Sequence, residues 1–96
     1  MNISVAGRTV TITGNIKSIG DYQALKDTLD GVVANEKSIV INIKDSISIT
    51  SSVIGYLTKL LQKDNINVQI KVGDENLYEL FDEINLVQLF NVTKSL

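Results

Sequence analysis

Between Ile39 and Leu61 the sequence changes period, and that change narrows the choice of fold. Ile39-Val40-Ile41-Asn42-Ile43 is the most apolar strand-like run, whereas Val53, Ile54, Leu57, Leu60 and Leu61 recur at helical spacing. Thr58, Lys59, Gln62 and Lys63 fall opposite that stripe. The connecting stretch, Asp45 to Ser52, carries hydroxyls at four of the five positions from Ser48 to Ser52, with Ser46 just upstream. A chain leaving a buried strand and turning into a helix exposes unpaired backbone N–H groups, which favour anions. Hydroxyls placed there serve as helix caps or as targets for modification.

The flanking segments repeat the alternation of strand and helix. Ile3-Ser4-Val5 and Thr9-Val10-Thr11-Ile12-Thr13 alternate apolar and polar residues around Gly7-Arg8, the pattern of a β-hairpin with one buried face. A turn follows at Gly14-Asn15. Ser18 or Asp21 caps a helix in which Tyr22, Leu25, Leu29 and Val32 or Val33 share a face, with Asn35 as its stop. Four of the six residues from Ser38 to Ile43 are apolar and β-branched, which predicts a central strand covered on both faces. Asp64-Asn65 ends the second helix. Asn67 to Val72 alternates strictly, a strand with one wet or loosely covered face. Asp74 caps a third helix with Leu77, Leu80, Phe81 and Ile84 inside and acidic residues in its first turn. Leu86 to Val92 fits a short strand or a helical turn.

These patterns predict one domain over residues 1–96. Its class is α/β: a small single-layer mixed sheet of about four to five strands, packed with three to four helices. The strand–helix–strand unit implies a parallel pair with a right-handed crossover, and the hairpin an antiparallel one.

Composition removes several kinds of chemistry. With no cysteine and no histidine, the chain has no disulfide, no thiol nucleophile, no imidazole or thiolate metal ligand and no histidine-based catalytic unit. The net charge is −2 and the basic residues are scattered, so nucleic acid is not an expected partner. No run is long enough to insert into a bilayer, and the first residues lack the layout of a signal peptide. A soluble, cytoplasmic protein is the expectation, without cofactor or metal. Most carboxylates fall on outer helix faces, and pairing Ser51 or Ser52 with Lys44 or Lys59 follows no diagnostic spacing. Gly55 stands alone in a helical pattern and matches no phosphate-binding loop. An enzyme is not expected.

Strand Ser38–Ile43, the loop, Ile49-Thr50-Ser51-Ser52-Val53-Ile54-Gly55 and the amphipathic helix together resemble the core motif of STAS domains. This family contains bacterial anti-sigma factor antagonists and the tails of sulphate transporters. Its loop typically reads apolar-Asp-Ser-Ser-Gly-Leu-Gly, and a partner kinase phosphorylates the first serine. The closing run Leu80-Phe81-Asp82-Glu83-Ile84-Asn85-Leu86-Val87-Gln88-Leu89-Phe90 is similar to the family's last segment, and the order of elements agrees over nearly the whole chain. The sequence departs from the motif where Thr50 replaces the usual Asp and Val53 the usual Gly.

The resemblance implies a binding module in a partner-switching pathway that regulates transcription. The phosphoacceptor position falls on Ser51, with Thr50 and Ser52 as lesser candidates. The partner would be an anti-sigma factor with serine kinase activity, or another subunit of a STAS complex. It would contact Thr50, Ser51, Ser52, Val53, Gly55 and Tyr56. Gly55 reads either as a tolerated imperfection of the helix or as a place of close packing against the sheet or a partner, and Tyr56 either as packing at the core edge or as an interface ring with its hydroxyl exposed. The other implied role is a non-phosphorylated scaffold subunit of a sensory complex or membrane transporter, for which a homo-oligomer is one arrangement.

Overall fold

Alternating patterns close into one mixed sheet with three helices, a small α/β fold of the expected class. The computed structural model describes residues 1–95. The hairpin comprises β1 (Asn2–Ala6) and β2 (Thr9–Thr13). The chain continues through α1 (Ile19–Val33), β3 (Ser38–Ile43), α2 (Ser51–Gln62), β4 (Asn67–Val72), α3 (Glu75–Glu83) and β5 (Val92–Lys94). Strand order in the sheet follows sequence order: β1 is antiparallel to β2, and β2, β3, β4 and β5 run parallel.

Register explains the layering. Val10, Ile41, Ile70 and Val92 form one row across four strands, and Ile12, Ile43 and Val72 another; all are buried. The residues between them point the other way. Ser4, Thr11, Asn42, Lys71 and Thr93 make a row that is half-buried or exposed. All three helices therefore pack on the same face and leave the opposite face open. The expectation that Ser38–Ile43 is covered on both faces is corrected here: Ser38, Val40 and Asn42 stand on the open side, only half-buried. Val40 made the run look uniformly apolar, although the strand alternates in burial.

Against the covered face sit Leu25 and Leu29 from α1, Val53, Leu57 and Leu60 from α2, and Leu77 and Phe81 from α3. Phe81 meets Phe90 edge-on, with ring centroids 6.5 Å apart. Ile84, expected inside, is 42% exposed, because it is the C-cap where α3 has already left the sheet; Leu80 is half-buried. Leu86–Val92 contains both predicted forms in succession, a turn through Asn91 and then the first residue of β5.

Three asparagines end the helical turns in left-handed conformation: Asn65 (φ 55°), Asn85 (φ 61°) and Asn91 (φ 50°). Asparagine tolerates this region better than other side chains. After Asn85 and Asn91 the next N–H reaches back five residues, Leu86 to the Phe81 carbonyl and Val92 to that of Val87, both at 2.8 Å. Capping sets the other ends. Ser18 and Asp21 form a reciprocal capping box on α1, Thr50 accepts from Val53 N–H on α2, and Asp74 accepts from Asn76 and Leu77 on α3. The two backbone bonds from Lys17 and Ser18 hold the Asp21 carboxyl below its ordinary pKa.

At the ends of β3 and β4 the two backbones come very close, and glycine is required. The Gly73 N–H donates to the Ile43 carbonyl at 2.9 Å, and a Cβ on Gly73 would stand 2.1 Å from the Lys44 carbonyl oxygen. Gly55 is the opposite case: a Cβ there would meet nothing within 4 Å. Gly73→Ala should lower stability by about 3 kcal/mol or destroy the fold, because backbone must move. Gly55→Ala should raise it by up to about 1 kcal/mol through helix propensity. Urea unfolding of the two variants against wild type measures both signs.

Candidate functional site

Because β2, β3 and β4 are parallel, their C-terminal ends lie along one edge, and the N-termini of α1, α2 and α3 start from it. Open α/β sheets characteristically use this edge for binding. Two of its loops are stitched together by side chains. Asp45 Oδ1 accepts from Gly14 N–H at 2.7 Å, and Asn15 Oδ1 accepts from Ile47 N–H at 3.0 Å. Ser46 Oγ accepts from the N–H groups of Ile16 (3.0 Å) and Ser48 (3.3 Å) and donates to the Ser48 carbonyl at 2.7 Å. Ser48 Oγ in turn donates to the Ile16 carbonyl at 3.0 Å.

Ser46 is fully buried, and among the described residues it is the one buried polar side chain. Its hydroxyl fixes the path of the loop that leads into α2. Neither reading of the hydroxyl cluster as caps or modification targets covers Ser46 and Ser48, which serve as a joint between loops. Nothing local in the sequence marks this role, since the residue that both serines reach across the joint, Ile16, lies 30 and 32 residues upstream of them.

Beyond the joint, Thr50 is the cap and its Oγ1 accepts from Val53 N–H at 3.3 Å. Ser51 and Ser52 occupy the first two helical positions and are exposed. Neither hydroxyl is engaged by a side-chain hydrogen bond among the described residues. Gly55 is also exposed, with open space where a Cβ would stand, so it does not pack on the domain's own sheet.

Two of the six residues expected at a partner surface lie inside instead. Val53 is 1% exposed and Tyr56 5% exposed, because positions 53, 56, 57 and 60 form the buried stripe of α2. The Tyr56 hydroxyl does not reach solvent freely; it donates to the Asp30 carboxylate on α1. Burial, reinforced by that carboxylate, pushes the Tyr56 phenol well above its ordinary pKa. The bond from Tyr56, assisted by Lys26, holds the Asp30 carboxyl below its ordinary value. Lys26 and Lys59 lie over the Tyr56 ring at 5.6 and 6.0 Å. Tyr56 thus ties α2 to α1.

Two residues outside that set of six are exposed on the same edge. Ile47 is 56% exposed in the stitched loop, and Ile19 is 86% exposed at the first position of α1. Large aliphatic side chains this open, on the edge that carries Ser51 and Ser52, are suited to contact another protein. Ile19 is in helical phase with Tyr22, which conceals its exposure in the sequence; the first turn of α1 extends past the core. Among the described residues there is no cluster of potential metal ligands and no helix long and apolar enough to cross a membrane. Compared with models of known families and with curated proteins, the sequence matches none.

Replacing Ser46 with alanine would leave the buried N–H of Ile16 and the half-buried N–H of Ser48 without their acceptor. A cost of about 1–3 kcal/mol in chemical denaturation is expected. The Tyr56–Asp30 bond carries a pH signature. Asp30 has a depressed folded-state pKa, so its contribution is present above the unfolded value of 3.8 and is lost as pH falls through the folded value. Tyr56→Phe should therefore lower the melting temperature at neutral pH, and the gap to wild type should narrow below pH 3.8. Thermal melts of both proteins across that range provide the check.

Proposed function

We propose that this chain is a cytoplasmic STAS-like binding module of the anti-sigma factor antagonist type, acting in a partner-switching pathway. One observation carries the reading: an exposed, unengaged Ser51 stands at the first helical position, one residue past a cap that Thr50 already supplies. A kinase can reach that hydroxyl without disturbing the cap or the buried joint behind it. Phosphorylation there adds a charge of about −1.5 to −2 at a helix N-terminus, which tolerates it without unfolding. The surface would change while the fold remained.

The unmodified edge would bind an anti-sigma factor with serine kinase activity through Ser51, Ser52 and Gly55, flanked by Ile19 and Ile47. Phosphate on Ser51 would set charge and bulk in the middle of that contact. A second reading, a non-phosphorylated scaffold subunit of a sensory complex or transporter, draws support from Thr50. Its side chain is committed to the cap, so no carboxylate stands beside Ser51 to orient an acceptor hydroxyl.

Affinity capture from native cell extract with wild type, Ser51→Ala and Ser51→Asp distinguishes the two. On the switching reading Ser51→Ala retains the partner, Ser51→Asp loses it by about tenfold or more, equivalent to roughly 1.4 kcal/mol, and intact-mass analysis of the endogenous protein finds a phosphorylated fraction. Equal capture by Ser51→Asp, with no phosphorylated form, would leave the scaffold reading.

A further inference from the structure

The two edges of the sheet are built differently. Edge strands expose unpaired N–H and C=O groups, and natural sheets blunt them by shortness, charge, proline or a bulge. At one edge β5 has three residues, and its Lys94 pairs with Glu75 at 2.8 Å. At the other edge β1 has none of these protections. It spans five residues, Asn2-Ile3-Ser4-Val5-Ala6, without charge or proline. Its register against β2 runs unbroken from Asn2↔Thr13 to Ala6↔Thr9, so no bulge twists it away. Among the described residues nothing pairs with its outer side.

The helix layer also stops short of β1. Val5, on the helix side, is 49% exposed, and Ile3 is half-buried. The hairpin loop is two residues, with Gly7 at φ 62° and Arg8 not left-handed, as in a type II′ turn. In such a hairpin Ala6 and Thr9 exchange the first hydrogen bonds, and alternation turns the N–H and C=O of Ile3 and Val5 outward. The groups available for pairing are thus those of exposed Val5 and half-buried Ile3.

We propose that β1 is a self-association edge, at which two copies of this chain pair β1 against β1 antiparallel about a two-fold axis through Ser4. In that register Ile3 lies opposite the partner's Val5, giving about four inter-chain backbone hydrogen bonds and two apolar cross-strand pairs. Self-pairing is favoured over an unrelated strand on two grounds. An uncharged strand meets no like charge when its own copy reverses onto it. The contact is also isologous: it consumes both unprotected edges and leaves only the blunted β5 edges outside, so assembly closes at the dimer. The surface is separate from Ser51 and does not depend on the proposed switch.

Analytical ultracentrifugation of the full chain from micromolar to millimolar concentration, with three variants, tests this. Wild type should sediment as a concentration-dependent dimer. Ser4→Lys sets two lysines side by side across the axis and should weaken the dimer at least tenfold, with an unchanged circular dichroism spectrum. The chain has no cysteine, so Ser4→Cys introduces the one thiol. Across the axis its Cα would lie about 4.5 Å from its copy, within disulfide reach. Mild oxidation should therefore trap Ser4→Cys as a covalent dimer and leave Thr93→Cys, on the β5 edge, monomeric. A wild type that stays monomeric throughout overturns the proposal. So does a dimer that persists in Ser4→Lys and is not trapped by Ser4→Cys.

Discussion

The buried hydroxyl of Ser46 is the interaction on which the working edge of this protein depends. Leu25, Leu29, Leu57 and Leu60 make the helix layer cohere by non-directional burial, which leaves loop paths undetermined. A hydrogen-bonded group inside that layer is directional. With Ile16 N–H and both backbone groups of Ser48 on one oxygen, the loops after β2 and β3 have a single mutual arrangement. Asp45 and Asn15 add bonds on the exposed side of the same joint. The start of α2 is therefore held by its neighbour loop as well as by its own cap.

Rigidity at that place bears on how a surface switch can operate. A phosphate that had to reorganise the loop would need to overcome the buried bonds of Ser46, a cost comparable to losing a satisfied polar group. Ser51 lies beyond the last of those bonds, on the first turn of a helix whose cap is Thr50. Change at Ser51 therefore stays local, and a partner would sense it through charge and shape rather than through a conformational relay. Tyr56 works in the same sense from inside. Its bond to Asp30 fixes α2 against α1, so Ile19 and Ser51 sit on helices that do not slide independently.

Periodicity made most of the fold legible in the sequence and left the coverage of faces unread. The order of elements, the caps at Ser18, Thr50 and Asp74 and the break at Asn65 follow from local chemistry that acts within a few residues. Whether a face is covered depends on what the rest of the chain places over it. Hence Ser38–Ile43 looked like a strand buried on both sides and Ile84 like core, while the exposure of Ile19 went unread. The candidate site was legible to the same extent. Ser51, Ser52 and Gly55 lie on the surface as the helical phase allows, whereas Val53 and Tyr56 belong to the phase that faces the sheet. The joining role of Ser46 was beyond reach: its bonds to Ser48 are local, but the one that ties the two loops together comes from Ile16 N–H, thirty residues away, and no pattern encodes it.

The same local-versus-distant distinction orders the surfaces by what they can do. The open face of the sheet, with Ser4, Thr11, Asn42, Lys71 and Thr93 in one row, offers polar and charged side chains whose groups water satisfies well. It provides little apolar area to drive association. The edge of β1 offers directional backbone groups together with exposed Val5 and half-buried Ile3, and the edge at Ser51 offers hydroxyls and the isolated aliphatic side chains of Ile19 and Ile47. Backbone pairing has little side-chain selectivity and suits a constant, symmetric contact. An exposed hydroxyl at a helix start, on an edge that also exposes Ile19 and Ile47, suits a contact that one covalent change can weaken. Under the two proposals, which use different edges, the chain would keep a fixed neighbour while exchanging another.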